Sequence, residues 1–380
     1  MRFRILKLIF SLCAFATLTT AVSLSAREPI VFDAPGAATV SSSACAPYCG
    51  TMPFANNDLG VIVGFYTDEN VVPHGFLRKP DGEIVSFDAP GAGLGYGLDQ
   101  GTVAFSINNL GVIAGQYQDS NYVFHGFIRY PDGSFTTYDA PGAGTGAYQG
   151  TYPCEINLEG ETAGVIYDGN NVAHGFVRSP SGKFTSFDPP GSVNTYPCSQ
   201  ADSLNDWGAV TGYYLDATNT YHSFVRWPDG TISEFRGPNE IKGGYLGTIA
   251  LSIDDLGVIG GYYHDANGGV NHAFVRYPDG TLTVYNDPEA GKGPLQGTFS
   301  GRRNILGASA GSSIDANNVV HAFYRAPDGK FTNFDAAGAG KGGFPQGTMP
   351  YCINAQSQVI GFDTDDNTLN HGFVWTPKKH

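Results

Sequence analysis

The sequence predicts an all-β protein, a single seven-bladed β-propeller of four-stranded blades. Three observations carry that prediction. A His-x-Phe triplet recurs at His74, His125, His174, His222, His272, His321 and His371, in steps of 48 to 51 residues. Each copy sits in a unit of four short apolar segments separated by turn residues, the period of a propeller blade. The composition excludes other classes: 52 glycines and 23 prolines would interrupt long helices, and 13% aromatic content supplies a core that disordered chains lack.

From the N-terminus, residues 1–26 read as a secretory signal peptide. Arg2, Arg4 and Lys7 open it, an apolar run extends from Leu8 to about Leu18, and small residues lead to cleavage near Ala26. The run is short for a membrane anchor, the alternative, and Leu12 precedes Cys13 where a lipoprotein needs a small residue. A secreted location, extracellular or periplasmic, is therefore expected, with no membrane span in the mature chain. Without its three basic leader residues the chain has 18 Lys+Arg against 35 Asp+Glu, a charge of −17. Such a surface disfavours nucleic acid and anionic lipid, and favours neutral or cationic ligands. Five cysteines remain: Cys45, Cys49, Cys154, Cys198 and Cys352. Export permits disulfides, and an odd count leaves one thiol over. Cys45-x-x-x-Cys49 reads as a local disulfide or as plain thiols, because zinc would need a second ligand pair that the nearby sequence lacks.

Residues 27–380 are expected to form one domain. Ile30–Gly36 reads as the last segment of a unit without the preceding three. A full unit then follows six times, as in Gly101-Thr102 to Ile107-Asn108, an Asn108-x-x-Gly111 turn, Val112 to Tyr117, and a second turn at Asp119. His125 to Arg129 forms the third segment, Pro131-Asp132-Gly133 turns the chain, and Phe135 to Tyr138 ends at Asp139-Ala140-Pro141-Gly142. Gly, Ala or Ser after each histidine leaves room for an adjacent sheet. The last copy stops at Pro377 without a fourth segment, so Ile30–Gly36 is expected to complete it and close the ring.

His-Ala-Phe at 272–274 and 321–323, with His-Gly-Phe and His-Ser-Phe variants, resembles the extracellular HAF-repeat family over essentially all of residues 30–377. That resemblance implies secretion and a repeat fold, and no common activity. The chain lacks the recurrent Trp-Asp of WD40 proteins and the Gly-Gly doublet of kelch blades. Two places depart from the repeat: Gly301-Arg302-Arg303-Asn304, and a closing segment reading Phe235-Arg236-Gly237-Pro238.

Each repeated histidine has an aspartate six or seven residues before it, giving His74 with Asp68, His125 with Asp119, His174 with Asp168 and His222 with Asp216, then His272 with Asp265, His321 with Asp315 and His371 with Asp365. A group needed in every blade is expected to be part of the blade, so these read as structural pairs in which the carboxylate fixes the imidazole tautomer. The arginine four residues after six of the histidines is expected to pair with the nearby Pro-Asp-Gly aspartate or with a neighbouring one. The Asp and Asn of turns such as Asp365-Asp366-Asn367 are too sparse for a calcium loop. No metal site or cofactor is expected, and no hydrolase motif is present.

Candidate ligand contacts lie where the copies differ. The connections after Asp-Ala-Pro-Gly carry Tyr48, Tyr148 and Tyr245, with Tyr96, Tyr196 and Phe344, and the amides Gln149 and Gln346 beside Gly-Thr. Aromatics with amides can stack on and hydrogen-bond to sugars. One position of the first segments reads Ala55, Ser106, Glu155, Ser203, Ser252, Arg302 and Cys352. Its two charges, Glu155 and Arg302, are expected to face each other across a central channel and address one ligand, unless each pairs locally. The expected function is a secreted, monomeric binding module for a small or oligomeric ligand such as a glycan. The alternatives are a glycan lyase or hydrolase, with Glu155 and Asp202 as its carboxylates, and a structural envelope protein.

Overall fold

The computed structural model describes residues 27–97, 100–193 and 199–378. The expected leader, Cys13, Tyr196 and Cys198 lie outside the described residues. Every regular element described is a β-strand. No described helix could cross a membrane.

The described strands fall into seven antiparallel groups of four. In the second group Gly101–Ile107, Ile113–Gln118, Phe124–Arg129 and Phe135–Tyr138 pair in that order. Side chains at the head of each turn close it. Asn108 Oδ1 accepts the amides of Leu110 and Val112, both at 3.0 Å, and Asp119 Oδ1 accepts those of Asn121 at 2.8 Å and Val123 at 3.0 Å. The N-terminal strand Ile30–Phe32 pairs antiparallel with Asn370–Trp375 and supplies the fourth strand of the last group.

Three repeated contacts join neighbouring groups. The Thr of each Gly-Thr step accepts an amide from the turn that ends the preceding group, from Ala34 N to Thr51 Oγ1 at 3.0 Å to Ala336 N to Thr348 Oγ1 at 2.9 Å. The glycine before it is obligatory: at Gly101, φ is +108°, and a Cβ would lie 2.2 Å from the Pro73 carbonyl oxygen. The turn asparagines form a chain across the groups, each Nδ2 donating to the carbonyl of the next: Asn57 to Asn108, Asn108 to Asn157, Asn157 to Asn205, Asn205 to Asp254, Asn304 to Asn354, and Asn354 to Asn57. Asp254 cannot donate, and Arg303 of the next group reaches back to its carboxylate instead.

The arginines correct an expectation. Rather than forming an ion pair with the Pro-Asp-Gly aspartate, each lies over an aromatic ring of the preceding group: Arg78 on Phe32, Arg129 on Phe87, Arg178 on Tyr138, Arg226 on Phe187, Arg276 on Phe235 and Arg325 on Tyr285, at 4.5 to 5.1 Å from the centroid. Trp375 takes that place in the last group and stacks on Phe334 at 4.3 Å. Between groups the core is aliphatic and aromatic, with Phe76, Phe127, Phe176, Phe224, Phe274, Phe323 and Phe373 fully buried. These are the phenylalanines of the His-x-Phe triplets, which is why the triplet repeats.

Candidate functional site

The first strands of the groups contact one another in succession, and that of the last group, Gly347–Ile353, contacts that of the first, Thr51–Asn56. Each contains a register shift, for example between Pro53 and Ala55, Ala104 and Ser106, or Pro350 and Cys352. A bulge inserts a residue that the partner strand does not match and re-aims its side chain. The bulged residues are Phe54, Phe105, Cys154, Asp202, Leu251, Gly301 and Tyr351. Five of them, Phe54, Phe105, Cys154, Asp202 and Tyr351, line a cavity of about 930 Å³, together with Arg302, whose group shifts register by one residue more.

The cavity is asymmetric. Most of its aromatic wall comes from the first three groups: Phe54, Phe65, Phe105, Phe124, Tyr152 and Tyr167, with Tyr48 and Tyr148 as further lining residues. Phe105 stacks on Phe54 with centroids 5.4 Å apart, and Tyr152 and Tyr351 extend the array at 5.0 and 4.7 Å. Cys154, Asp202, Arg302 and Tyr351 supply polar groups from the bulged stretches, and Gln116 and Asn171 add two amides to the lining.

Arg302 Nη1 donates to Glu155 Oε2 although 147 residues separate them, and Ser106 Oγ donates to Glu155 Oε1. The two charges thus meet each other directly, where the sequence had them addressing a ligand from opposite sides. Both Glu155 oxygens are occupied. Burial opposes the Arg302 charge, but Glu155 outweighs it and holds the guanidinium's pKa above its ordinary range. Asp202 is different. Its Oδ2 is buried without a hydrogen-bond partner, and burial lifts its carboxyl to about 7, against the pull of Arg302. Burial likewise raises the Tyr351 phenol to about 12 and the Cys154 thiol well above its usual range.

The other sequence-derived candidates separate. Tyr48 and Tyr148 line the cavity and are about half exposed, at 48% and 51%; Tyr245, at 56%, is not among the lining residues. Gln149 Oε1 accepts Gly146 N at 2.9 Å, and Gln346 accepts Gly342 N at 2.5 Å while donating to the Asp366 carbonyl at 3.3 Å, so both amides are held by their own surroundings. Cys45 and Cys49 form a disulfide; among the described residues Cys154 and Cys352 are free thiols.

In His222 the Nδ1 is buried without a hydrogen-bond partner. Most of the other histidines stand between two carboxylates. Nδ1 bonds a residue fourteen positions later, the Asp of Asp-Ala-Pro-Gly, at 2.9 Å for His74 with Asp88, 2.8 Å for His125 with Asp139 and 2.9 Å for His174 with Asp188. His321 does the same with Asp335, His371 with Asp33 at the N-terminus, and His272 with Asn286. The aspartate six or seven residues before lies farther off, at 3.7 Å from Nε2 for Asp68, Asp119 and Asp315, 3.8 Å for Asp168 and 3.4 Å for Asp265. Only Asp216 bonds directly, to His222 at 2.8 Å; Asp365 acts on His371 electrostatically. The preceding aspartate chiefly closes its own turn.

Sequence reasoning chose the position one residue after the bulge and so missed Phe54, Phe105, Cys154 and Tyr351. The signal was the greater variety at the bulge itself, which reads Phe, Phe, Cys, Asp, Leu, Gly, Tyr across the groups.

No protein-family model matches the chain, and no curated protein matches it. Among solved structures it is similar to AofleA from Arthrobotrys oligospora, with 11% identity over 72% of this chain and 78% of that one at a TM-score of 0.37. Aleuria aurantia lectin, a mutant in complex with Fucalpha1-6GlcNAc, is similar at 12% identity over 74% and 96% of the two chains, TM-score 0.37. Puromycin hydrolase is similar at 12% identity over 91% of this chain, TM-score 0.47; the match spans 56% of that protein.

Proposed function

We propose that this chain is an exported, monomeric seven-bladed β-propeller of the HAF-repeat type that binds a small or oligomeric ligand, in the first instance a glycan, in the aromatic-walled cavity. Ring closure is supported by the pairing of Ile30–Phe32 with the last strand and by the Asn354 to Asn57 hydrogen bond. Export is supported by the leader-like composition of residues 1–26 and tested by N-terminal sequencing of protein recovered outside the cytoplasm.

The observation that carries the binding reading is the cavity itself. Its volume of about 930 Å³ falls within the range that holds small ligands, and its walls are mostly aromatic and aliphatic with a small number of polar groups. Apolar sugar faces stack on such rings. Catalysis by Glu155 and Asp202 is disfavoured by the saturation of Glu155, because a nucleophile or base needs a free oxygen.

The test is a glycan-binding screen followed by calorimetry on wild type, Phe105→Ala and Tyr152→Ala. Removing one stacking ring should weaken binding by on the order of tenfold at similar melting temperature, since such contacts contribute about 1 kcal/mol or more. Undiminished affinity in both variants rejects the cavity as the site. Release of shorter products from a bound oligomer would instead establish the enzyme.

A further inference from the structure

Building on that reading of the cavity, we infer that its ligand carries an organic cation: an ammonium group seated at Asp202, with the body of the molecule against the aromatic walls. The argument begins with charge. The titratable groups acting with Asp202 are Arg302, Glu155, Cys154, Tyr213, Tyr262 and Tyr351. Arg302 is the single cation among them, and it is committed to Glu155. An ionised Asp202 is therefore one negative charge without a counterpart in a desolvated place, and its Oδ2 has no hydrogen-bond partner. The carboxyl answers by holding a proton up to about pH 7. A ligand cation at Oδ2 would replace that proton and leave the floor neutral.

The walls fit the same ligand. Phe54, Phe105 and Tyr351 form a contiguous array of rings, with centroids 4.7 to 5.4 Å apart, that lines the same cavity as the carboxylate. Ring faces attract alkylammonium groups electrostatically, and more strongly when the site is desolvated. The whole chain, at −14, adds a long-range field that concentrates cations.

Proton exchange gives the inference its sign. Below about pH 7 the free site is protonated, so a cation must displace the proton; its affinity should fall about tenfold per pH unit below 7 and level off above it. A neutral ligand that accepts the Asp202 proton would do the reverse, weakening above pH 7.

Calorimetry with two matched pairs tests this: choline against its neutral isostere 3,3-dimethylbutan-1-ol, and an N,N,N-trimethylglucosamine tetramer, whose charge does not titrate, against the N-acetylglucosamine tetramer. At pH 8 the cationic member of a pair should bind at least tenfold tighter, weaken at pH 6, and lose that advantage in Asp202→Asn. An advantage confined to the tetramers assigns a cationic amino sugar, and one confined to choline assigns a small quaternary amine. Equal affinity within both pairs, or cation binding by wild type that ignores pH between 6 and 8, overturns the inference while a bound neutral tetramer still upholds the cavity. Should no probe bind, the cation inference fails, and the glycan screen decides the cavity reading separately. The wild-type pH profile keeps the test decisive even if Asp202→Asn folds poorly.

Discussion

Two layers of this molecule treat repetition in opposite ways. In the hairpin layer, the same histidine occurs seven times, with an arginine four residues on in six copies and Trp375 in the seventh. Six of the seven copies meet the same kind of partner through Nδ1, a carboxylate or amide at the end of the group's fourth strand, while His222 bonds Asp216 through Nε2 instead. Every copy also sets an arginine or Trp375 against an aromatic ring of the preceding group. At the bulges of the first strands, six residue types fill seven equivalent positions, and Asp202 is the only acid among them. A residue that every unit needs for packing is held constant by that packing. A residue turned into open space is released from it, and its variety marks the surface proposed above to meet a ligand.

The largest expected effect comes from breaking the seam on which both layers depend. Deleting residues 27–38 removes the strand paired with Asn370–Trp375, the Asp33 partner of His371, the Phe32 ring under Arg78 and the Ala34 amide bound by Thr51. It also exposes a strand edge open to other chains. Loss of cooperative unfolding, or aggregation, is the expected result in thermal melts and light scattering. A truncated monomer that melts like the parent would disprove ring closure.

Next in size is the contrast between two arginines. Arg302→Ala strands Glu155 inside the protein, where an unpaired charge costs about 3–5 kcal/mol, and the double variant Arg302→Leu/Glu155→Leu should recover most of that loss. Arg129→Ala removes a ring contact and some packing, about 1–2 kcal/mol, because no buried charge is left behind. Urea melts of the three variants measure both. If the two single variants cost the same, the cavity pair is no more than another inter-group contact.

The layers also differ in how far the sequence reveals them. Unit boundaries, strand order and the role of Ile30–Gly36 are legible because glycine, proline and asparagine fix turns locally, and the repeat shows each turn many times. The chain of asparagines is hidden, since Asn57 meets the carbonyl of Asn108 through a packing register that no local pattern encodes. The same holds for Arg129 on Phe87, whose partner is in the preceding group. Glu155 and Arg302 are visible as the two charges in a row of small residues, yet their direct contact depends on a span across the molecule that spacing does not give. Asp202 is visible as a possible carboxylate; its isolation from partners comes only from the bulge.

The smallest effect sharpens the comparison most, because it asks both layers to respond to one variable. His74, His125, His321 and His371 have pKa values raised chiefly by hydrogen bonds to Asp88, Asp139, Asp335 and Asp33. A raised histidine contributes stability that is complete below the unfolded value of about 6.5 and disappears as pH rises through the folded value. Burial raises Asp202 to about 7 and Asp363 to about 6, so the folded state also holds those protons more tightly and loses stability between the ordinary carboxylate range and those values. His264, lowered by burial, opposes this only below about 6.5. Melting temperature should therefore fall by a few degrees from pH 6.5 to 8.5. His125→Asn should reduce the part of that slope above pH 7, at a cost under about 1 kcal/mol because its carboxylate partner is solvated. Asp202→Asn should reduce the part below pH 7 and leave the upper part intact. A melting temperature that rises between pH 6.5 and 8.5, or a His125→Asn variant that flattens the low-pH arm instead, would show that the protons have been assigned to the wrong layer.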